Sequence, residues 1–424
     1  MLDLKFIRSN SETAKEAVKN KGEKVDIDHI LELDKRRREI IGEVEKLKSE
    51  RNMATAEIAR LKKAGKETSE LISKMKAVSD KITDFDNKLR DMEAEINENL
   101  LWVPNIPHDS VPVGQTDDDN LEIRKWGEPR SFDFQVRPHW EIGEMIGGLD
   151  IAHGANVSGS GFYFSVGPLA KLERALINFM LDLHTGEHGY TEACIPYLVG
   201  ENAMRGTGQI PKLKEDMYYI ENDKLYLIPT AEVSLTNIHA GEILPPGSLP
   251  KKICAFSPCF RREAGSYGKE TRGIVRVHQF HKVEMVKIVE PETSYDELES
   301  LLENAERVLQ LLDLPYRVRI LCTGDLSFAA AKCYDIEVYA PGMDAWLEVS
   351  SCSNFEDFQA RRMNLRYRAE KGGKPQFPHT LNGSGVALPR TVAAILENYQ
   401  TKNGQIIIPK VLRPYTGGPE IIGK

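Results

Sequence analysis

Cysteine is scarce in this chain, and its spacing names no chemistry. Six cysteines occur in 424 residues, at 194, 254, 259, 322, 333 and 352, with no CxxC pair. Cys254 and Cys259 lie five apart, which fits neither a zinc knuckle nor a redox pair. Unbridged thiols in a cytoplasmic protein are the expectation. No apolar run approaches the roughly 18 residues that a membrane span needs, so no membrane partner is expected. The first residues, MLDLKFIRSN, lack the apolar core of a secretory signal. Neither GxxxxGK[ST] nor GxGxxG is present, so a bound nucleotide would need another cradle. There is no HExxH either. His184 and His188, in HTGEH, flank a glycine and read as surface or helix-end residues. An overall basic excess is also missing. The formal net charge is -8, so any site for a polyanion must be local.

What is present begins with a repeat. Ile30, Val44 and Ile58 share one heptad position, and Leu33, Ile40, Leu47, Ala54 and Leu61 share another. A second pair of series runs Leu71, Val78, Phe85, Met92 and Met75, Ile82, Leu89, Ile96. Strict sevens are the seam of a coiled coil. Arg37 and Arg51 interrupt the first series and read as register or snorkelling residues. KKAGKETSE joins the two runs, with Gly65 as a stop and Thr68 or Ser69 as a cap. A connection this short predicts an antiparallel hairpin roughly 50 Å long. Residues 1–104 hold 22 basic and 22 acidic side chains, against 34 and 42 in the remainder. Within the hairpin, residues 46–76 carry nine basic and four acidic groups, while 77–104 carry three and seven. The tip is therefore a cationic end on a neutral rod. A solvated or protein-binding arm competes with contact to a nucleic-acid backbone as its reading.

Residues 103–131 are rich in Pro, Gly and Asp and read as a linker. Beyond it, strand-like runs (GFYFSV, YLIPT, IVRVHQF, AWLEVSS) alternate irregularly with helical stretches at Pro168–His184, Glu292–Leu312 and Thr391–Tyr399. No regular βαβ repeat appears, so the expected class is α+β with a mainly antiparallel sheet.

Three segments concentrate functional groups. In FRREAGSYGKETRGIVRVHQFHKVEM (260–285), strand parity puts Arg261 and Glu263 on one face and Arg262 on the other. Ala264–Gly273, with Lys269, Glu270 and Arg272, reads as a loop able to fold over a ligand. Phe280 and Glu284 share parity and face one pocket unless a bulge intervenes. A guanidinium suits phosphate, an aromatic face suits a base, and carboxylates suit an amine, ammonium or hydroxyl. A cross-strand salt-bridge ladder is the bland alternative. In WLEVSSCSN (346–354), Glu348 and Ser350 share a face with Ser351 beside them, a hard-oxygen set for a nucleotide's magnesium. NGSGVALPRTVAAILENYQ (382–400) reads as a small-residue loop entering a helix, with Pro389 at its start. Arg390 there is placed to stack on a base. His278 and His281 read as supports of the sheet rather than bases.

FRREAGS with RVHQFHKVEM resembles motif 2 of the class II aminoacyl-tRNA synthetases, GSGVALPRTVAAILE resembles motif 3, and GYTEACIPYLV, with Pro196, resembles the motif 1 dimer segment. IPTAEVSL and SSCSNFEDFQARR are similar to the TAE loop and metal-side strand of the seryl-tRNA synthetase family, common bacterial-type form. The likeness covers almost the whole chain. It implies a tRNA-binding helical hairpin at 1–104 and a class II catalytic domain with a dimer interface at 105–424. It implies ATP-dependent attachment of L-serine to tRNA(Ser) through seryl-adenylate, with tRNA(Sec) charged too where the host has it. Arg261 would hold the α-phosphate and the serine carboxylate, and Glu263 would face the adenine amine within a motif that includes Arg262. Val277 and Phe280 would line the base, with Arg390 over it. Glu348 and Ser351 would hold Mg2+, with Val349 and Ser350 in the same ATP-binding strand. Thr230, Ala231, Glu232, Glu284, Asn382 and Ser384 would surround serine. Arg261, Glu348 and Arg390 carry the catalytic roles in this scheme. No zinc is expected, since the cysteine pattern of the zinc-dependent form is missing.

Two positions depart from the family pattern: Arg262 where serine is commoner, expected to be harmless, and Gly161 where arginine is usual, expected to loosen a local contact. The competing functions are a class II relative for threonine or proline and a tRNA-binding protein without catalysis. The TAE loop with the hairpin argues against the first, and intact Arg261, Glu284, Glu348 and Arg390 against the second.

Overall fold

The computed structural model describes residues 1–264 and 272–423, and the chain divides into two compact units, Met1–Pro104 and Asn105–Lys424. In the first unit the heptads become helices Ile27–Lys63 and Ser69–Leu100, 37 and 32 residues long. Asp26 caps the first, its Oδ1 accepting from the His29 amide at 3.1 Å, and Gly65 turns the chain at φ +72°. Thr68 holds the N-cap position of the second without a side-chain bond. Val44, Val78 and Ile82 form the buried seam, flanked by Ile40, Leu47, Met75, Phe85 and Leu89. Ion pairs His29–Glu95, Arg37–Glu93 and Lys48–Asp86 fall at converging numbers, which is the signature of antiparallel helices. Arg37 thus fixes register from its seam position. Two short helices, Leu4–Ser9 and Ser11–Asn20, cover the base of the rod. Asp34, buried there, accepts from Arg8 at 2.9 Å and Arg38 at 3.1 Å.

The second unit is built on a sheet. Among the described residues its strands are β1 (Leu121–Trp126), β2 (Thr191–Glu192), β3 (Lys251–Phe260), β4 (Gln279–Val289), β5 (Tyr316–Ile320), β6 (Lys332–Ala340), β7 (Ala345–Asn354) and β8 (His379–Ala387). Their spatial order is β1-β5-β6-β7-β8-β4-β3-β2. All neighbours run antiparallel except β2 with β3. Three amphipathic helices pack on it. Pro168–Gly186 starts on a proline and buries Leu169, Leu172, Leu176, Phe179, Met180 and Leu183. Ser294–Leu311 buries Leu298, Leu301, Leu302, Ala305, Val308 and Leu309 at the same helical spacing. Leu388–Asn398 is buried along nearly its whole length. These helices and the sheet share one core.

The structure corrects several sequence expectations. Ile274–His278 are turns and bends, and β4 begins only at Gln279. Their backbone finds loop partners instead: Ile274 N donates to His139 Nε2 at 3.2 Å and His278 N to Gly161 O at 3.0 Å. Asn382–Ala387, expected as a loop, is the end of β8. Glycine is there because nothing larger fits. A Cβ on Gly383 would meet Cys352 Sγ at 2.9 Å, and one on Gly385 would meet His184 Nε2 at 2.7 Å. His184 is therefore a core residue, fully buried at the end of the Pro168–Gly186 helix, and not a surface one. Lys269 and Glu270 lie outside the described residues.

Candidate active site

The sheet's open face carries a cleft of about 380 Å³. Thr230, Glu232, Arg261, Glu263, Val277, Phe280, Glu348, Val349, Ser351, Asn382, Ser384 and Arg390 all line it. Residues from five separate stretches of chain thus meet in one cavity. Arg261 follows β3 directly. Its guanidinium lies over the Phe280 ring, 5.2 Å from the centroid, and its Nε donates to Pro229 O at 3.3 Å. Its backbone is held by His278, which accepts from Arg261 N at 3.0 Å. Glu263 has φ +51° and meets Arg276 at 3.3 Å. On the far wall Arg390 reaches Glu348 twice, donating to its carbonyl at 2.8 Å and pairing with its carboxylate at 3.2 Å. Arg390 Nε also donates to Val275 O at 3.3 Å.

The deep end is a carboxylate network. Glu284 is fully buried beneath the cleft. It accepts from Thr230 Oγ1 at 2.8 Å and Asn382 Nδ2 at 2.9 Å, and it pairs with Lys282. Glu232 accepts from Gln359 Nε2 at 2.7 Å and Asn382 Nδ2 at 3.3 Å. Burial, and then the nearby charge of Glu284, push the Glu232 carboxyl up to about 7. The two acids share one amide donor, Asn382, and Lys282 pairs with one of them.

Two bulges set this geometry. On β7, Ser350 opposes Ile336 and Glu348 opposes Glu337, which leaves Val349 as the extra residue. The bulge reverses side-chain parity, so Glu348 and Ser351 share the cleft while Ser350 turns away. Ser350 is buried and donates to Ser384 O at 2.7 Å. This corrects the expected pairing of Glu348 with Ser350. On β8, Gly385 is the extra residue opposite Val283 and Glu284. Strand β4 itself is regular against β3, so Phe280, Lys282 and Glu284 keep one face.

Arg262 and Ala231 also stand apart from the cleft lining. The Arg262 amide donates to Asp216 O at 2.9 Å, and Ala231 packs in an apolar cluster with Leu235, Leu244 and Ala255. Gly161 adopts φ +83°, and a Cβ there would meet His278 Cδ2 at 2.5 Å. It permits close packing rather than loosening a contact. Sequence reasoning passed over Lys282, although its parity with Phe280 and Glu284 was legible. It also passed over Gln359 and Asp335, for which no local pattern exists. Asp335 opposes Ser351 in the β6–β7 register, and burial, with the Glu348 charge second, raises its carboxyl well above the usual range.

Residues 1–107 match the seryl-tRNA synthetase N-terminal domain family, and residues 215–399 match the tRNA synthetase class II core domain (G, H, P, S and T). A serine–tRNA ligase of Geobacillus kaustophilus is 55% identical over 423 residues, covering 100% of both chains. The chain belongs to the seryl-tRNA synthetase family. It is a class II aminoacyl-tRNA synthetase, a serine–tRNA ligase. A crystal structure of the seryl-tRNA synthetase from Pyrococcus horikoshii complexed with ATP superposes on the synthetase at TM-score 0.95 and 40% identity, covering 100% of this chain and 99% of that one. The cytoplasmic serine–tRNA ligase from Naegleria fowleri in complex with AMP superposes at TM-score 0.89 and 31% identity, with the same coverage. The coiled-coil hairpin and the antiparallel sheet flanked by helices are the architecture of this family.

Proposed function

We propose that the synthetase makes seryl-adenylate from L-serine and ATP in this cleft, then passes the seryl group to tRNA(Ser). The observation that carries the reading is that Arg261, Glu348 and the shell around Glu284 share one cavity. Serine enters as a zwitterion. Its ammonium fits between Glu232 and Glu284, with Thr230, Asn382 and Ser384 around it. Its carboxylate and the α-phosphate of ATP both meet the Arg261 guanidinium, which lowers their mutual repulsion. Adenine slides between Phe280 and Arg390, with Val277 below and Glu263 at the exocyclic amine.

A serine carboxylate oxygen attacks the α-phosphorus, and the bond to pyrophosphate breaks. The terminal ribose hydroxyl of tRNA then attacks the carbonyl carbon, and AMP leaves. Neither step needs a strong base, so positioning and charge neutralisation by fixed residues dominate. Glu348 and Ser351 offer a half-exposed carboxylate and a hydroxyl on one strand face, which fits a hard cation. Mg2+ held there would neutralise charge on the polyphosphate. Zinc has no part in this scheme.

The basic tip of the hairpin contacts the backbone of tRNA(Ser), and of tRNA(Sec) where the host has it. The synthetase works in the cytoplasm as a homodimer, a state favoured by the motif 1 strand β2 at the sheet edge. The test is ATP–pyrophosphate exchange across a panel of amino acids, with aminoacylation of tRNA(Ser) beside it. Serine alone should drive rapid exchange. Exchange with proline or threonine in its place would overturn the reading.

A further inference from the structure

We propose that Gln359 is a positioning residue for the amino-acid pocket, orienting Glu232 toward the substrate ammonium through a buried amide relay. Gln359 sits on the short helix Phe358–Met363 and is fully buried. It does not line the cleft, but two of its partners, Glu232 and Thr207, do. Its Nε2 donates to Glu232 Oε1 at 2.7 Å and to Thr207 O at 3.1 Å. Its Oε1 accepts from Thr380 Oγ1 at 2.7 Å. This set fixes the amide's orientation, because a carboxylate and a carbonyl both require donors while the hydroxyl supplies one. One side chain thus joins β8, the TAE segment and the Thr207–Gln209 wall of the cleft. Glu232 is met by Glu284 and Lys282 from β4, Asn382 from β8, Arg261 beyond β3 and Thr230 from its own segment. Of these, Asn382 donates to Glu232 Oε2 and is shared with Glu284, whereas Gln359 donates to Glu232 Oε1.

The inference rests on the serine-activation reading, and its consequence is specific. A hydrogen bond to the ionised carboxylate favours the charge that an ammonium needs. Gln359→Met keeps the volume and removes the amide. Serine-dependent ATP–pyrophosphate exchange should then show KM for serine raised on the order of tenfold at pH 7, with KM for ATP within about twofold. The acid limb of kcat/KM for serine should move to higher pH, so the defect shrinks on the alkaline side. Thr380→Val, which removes only the hydroxyl that anchors Gln359, should move both quantities the same way by a smaller factor, and it carries the test if Gln359→Met does not fold. An unchanged serine KM and acid limb in the folded variants would overturn the proposal. Wild-type enzyme that shows no serine-dependent exchange would instead remove the activity reading beneath it.

Discussion

His278 grips Arg261 by its backbone on both sides: its carbonyl accepts from the Arg261 amide at 3.0 Å, and its Nδ1 meets the Arg261 carbonyl at 3.1 Å. Gly161 lies against the same imidazole. The guanidinium proposed to meet the α-phosphate is thus aimed with the help of a residue one hundred positions upstream. Gly161→Ala places a Cβ into the ring and onto a left-handed backbone, where glycine alone is unstrained. We expect kcat for serine activation to fall about tenfold, as a small displacement of a positioning group does. The unfolding midpoint should drop by only a few degrees. Pre-steady-state adenylate formation checks the first and calorimetry the second.

Arg261→Lys retains charge but loses the planar fork. If Arg261 bridges two anions, adenylation should slow by roughly 10²-fold or more. Thermal stability should be little changed, since the native guanidinium makes one long bond to Pro229 and a ring contact. Single-turnover formation of labelled adenylate is the measurement. A rate within threefold of wild type would deny Arg261 its role.

The raised Glu232 carboxyl gives a pH dependence with a definite sign. Near pH 6 much of this group is protonated, because its midpoint lies at about 7, and a neutral acid attracts an ammonium weakly. Serine affinity should therefore improve as pH rises from 6 to 8, visible as a falling KM for serine. The linked stability effect runs the other way. Folding favours the proton, so stability contributed below the ordinary carboxylate midpoint is lost as pH rises toward 7. Glu232→Gln should flatten both dependences, with serine binding weakened most on the alkaline side, where the wild-type carboxyl is ionised.

Much of this architecture was readable in advance. The heptads gave the two helices of the hairpin, and the short KKAGKETSE connection gave their antiparallel direction. The apolar face of Pro168–Gly186 and the β7 strand were equally legible. What escaped was decided by tertiary packing. Val349 looks like any strand residue, yet its bulge decides that Ser351, not Ser350, joins Glu348. Asn382–Ala387 reads as a loop by composition, but the glycines answer to Cys352 and His184 on neighbouring elements. Gln359 has no local signature, because its partners lie 127, 152 and 21 residues away.

His184 gives a test of the core that is independent of catalysis. Burial, and to a lesser degree His188, lower its midpoint to about 3. The folded state thus resists its protonation, and stability present above the ordinary histidine midpoint is lost as pH falls below it. Below pH 6 this group alone removes up to roughly 1.4 kcal/mol per pH unit. His184→Phe, which cannot titrate, should give a shallower decline of unfolding free energy between pH 6 and 4 in denaturant titrations.

If the hairpin holds tRNA as proposed, shortening it should separate the two half-reactions. Its packed seam centres on Val44, Val78 and Ile82, well back from the turn at Gly65, so removing residues 60–72 leaves that seam in place. The deletion takes away Arg60, Lys62, Lys63 and Lys66 from the cationic end. Backbone contact made by such groups is salt-dependent and additive. Serine-dependent pyrophosphate exchange in the shortened enzyme should match wild type, because no cleft residue is touched. Aminoacylation of tRNA(Ser) should fall by at least about 10²-fold, mostly through KM for tRNA. Replacing the same four residues with alanine in the full-length arm should give an intermediate loss and a shallower salt dependence. Wild-type charging by the shortened enzyme would show that tRNA is held elsewhere on the molecule.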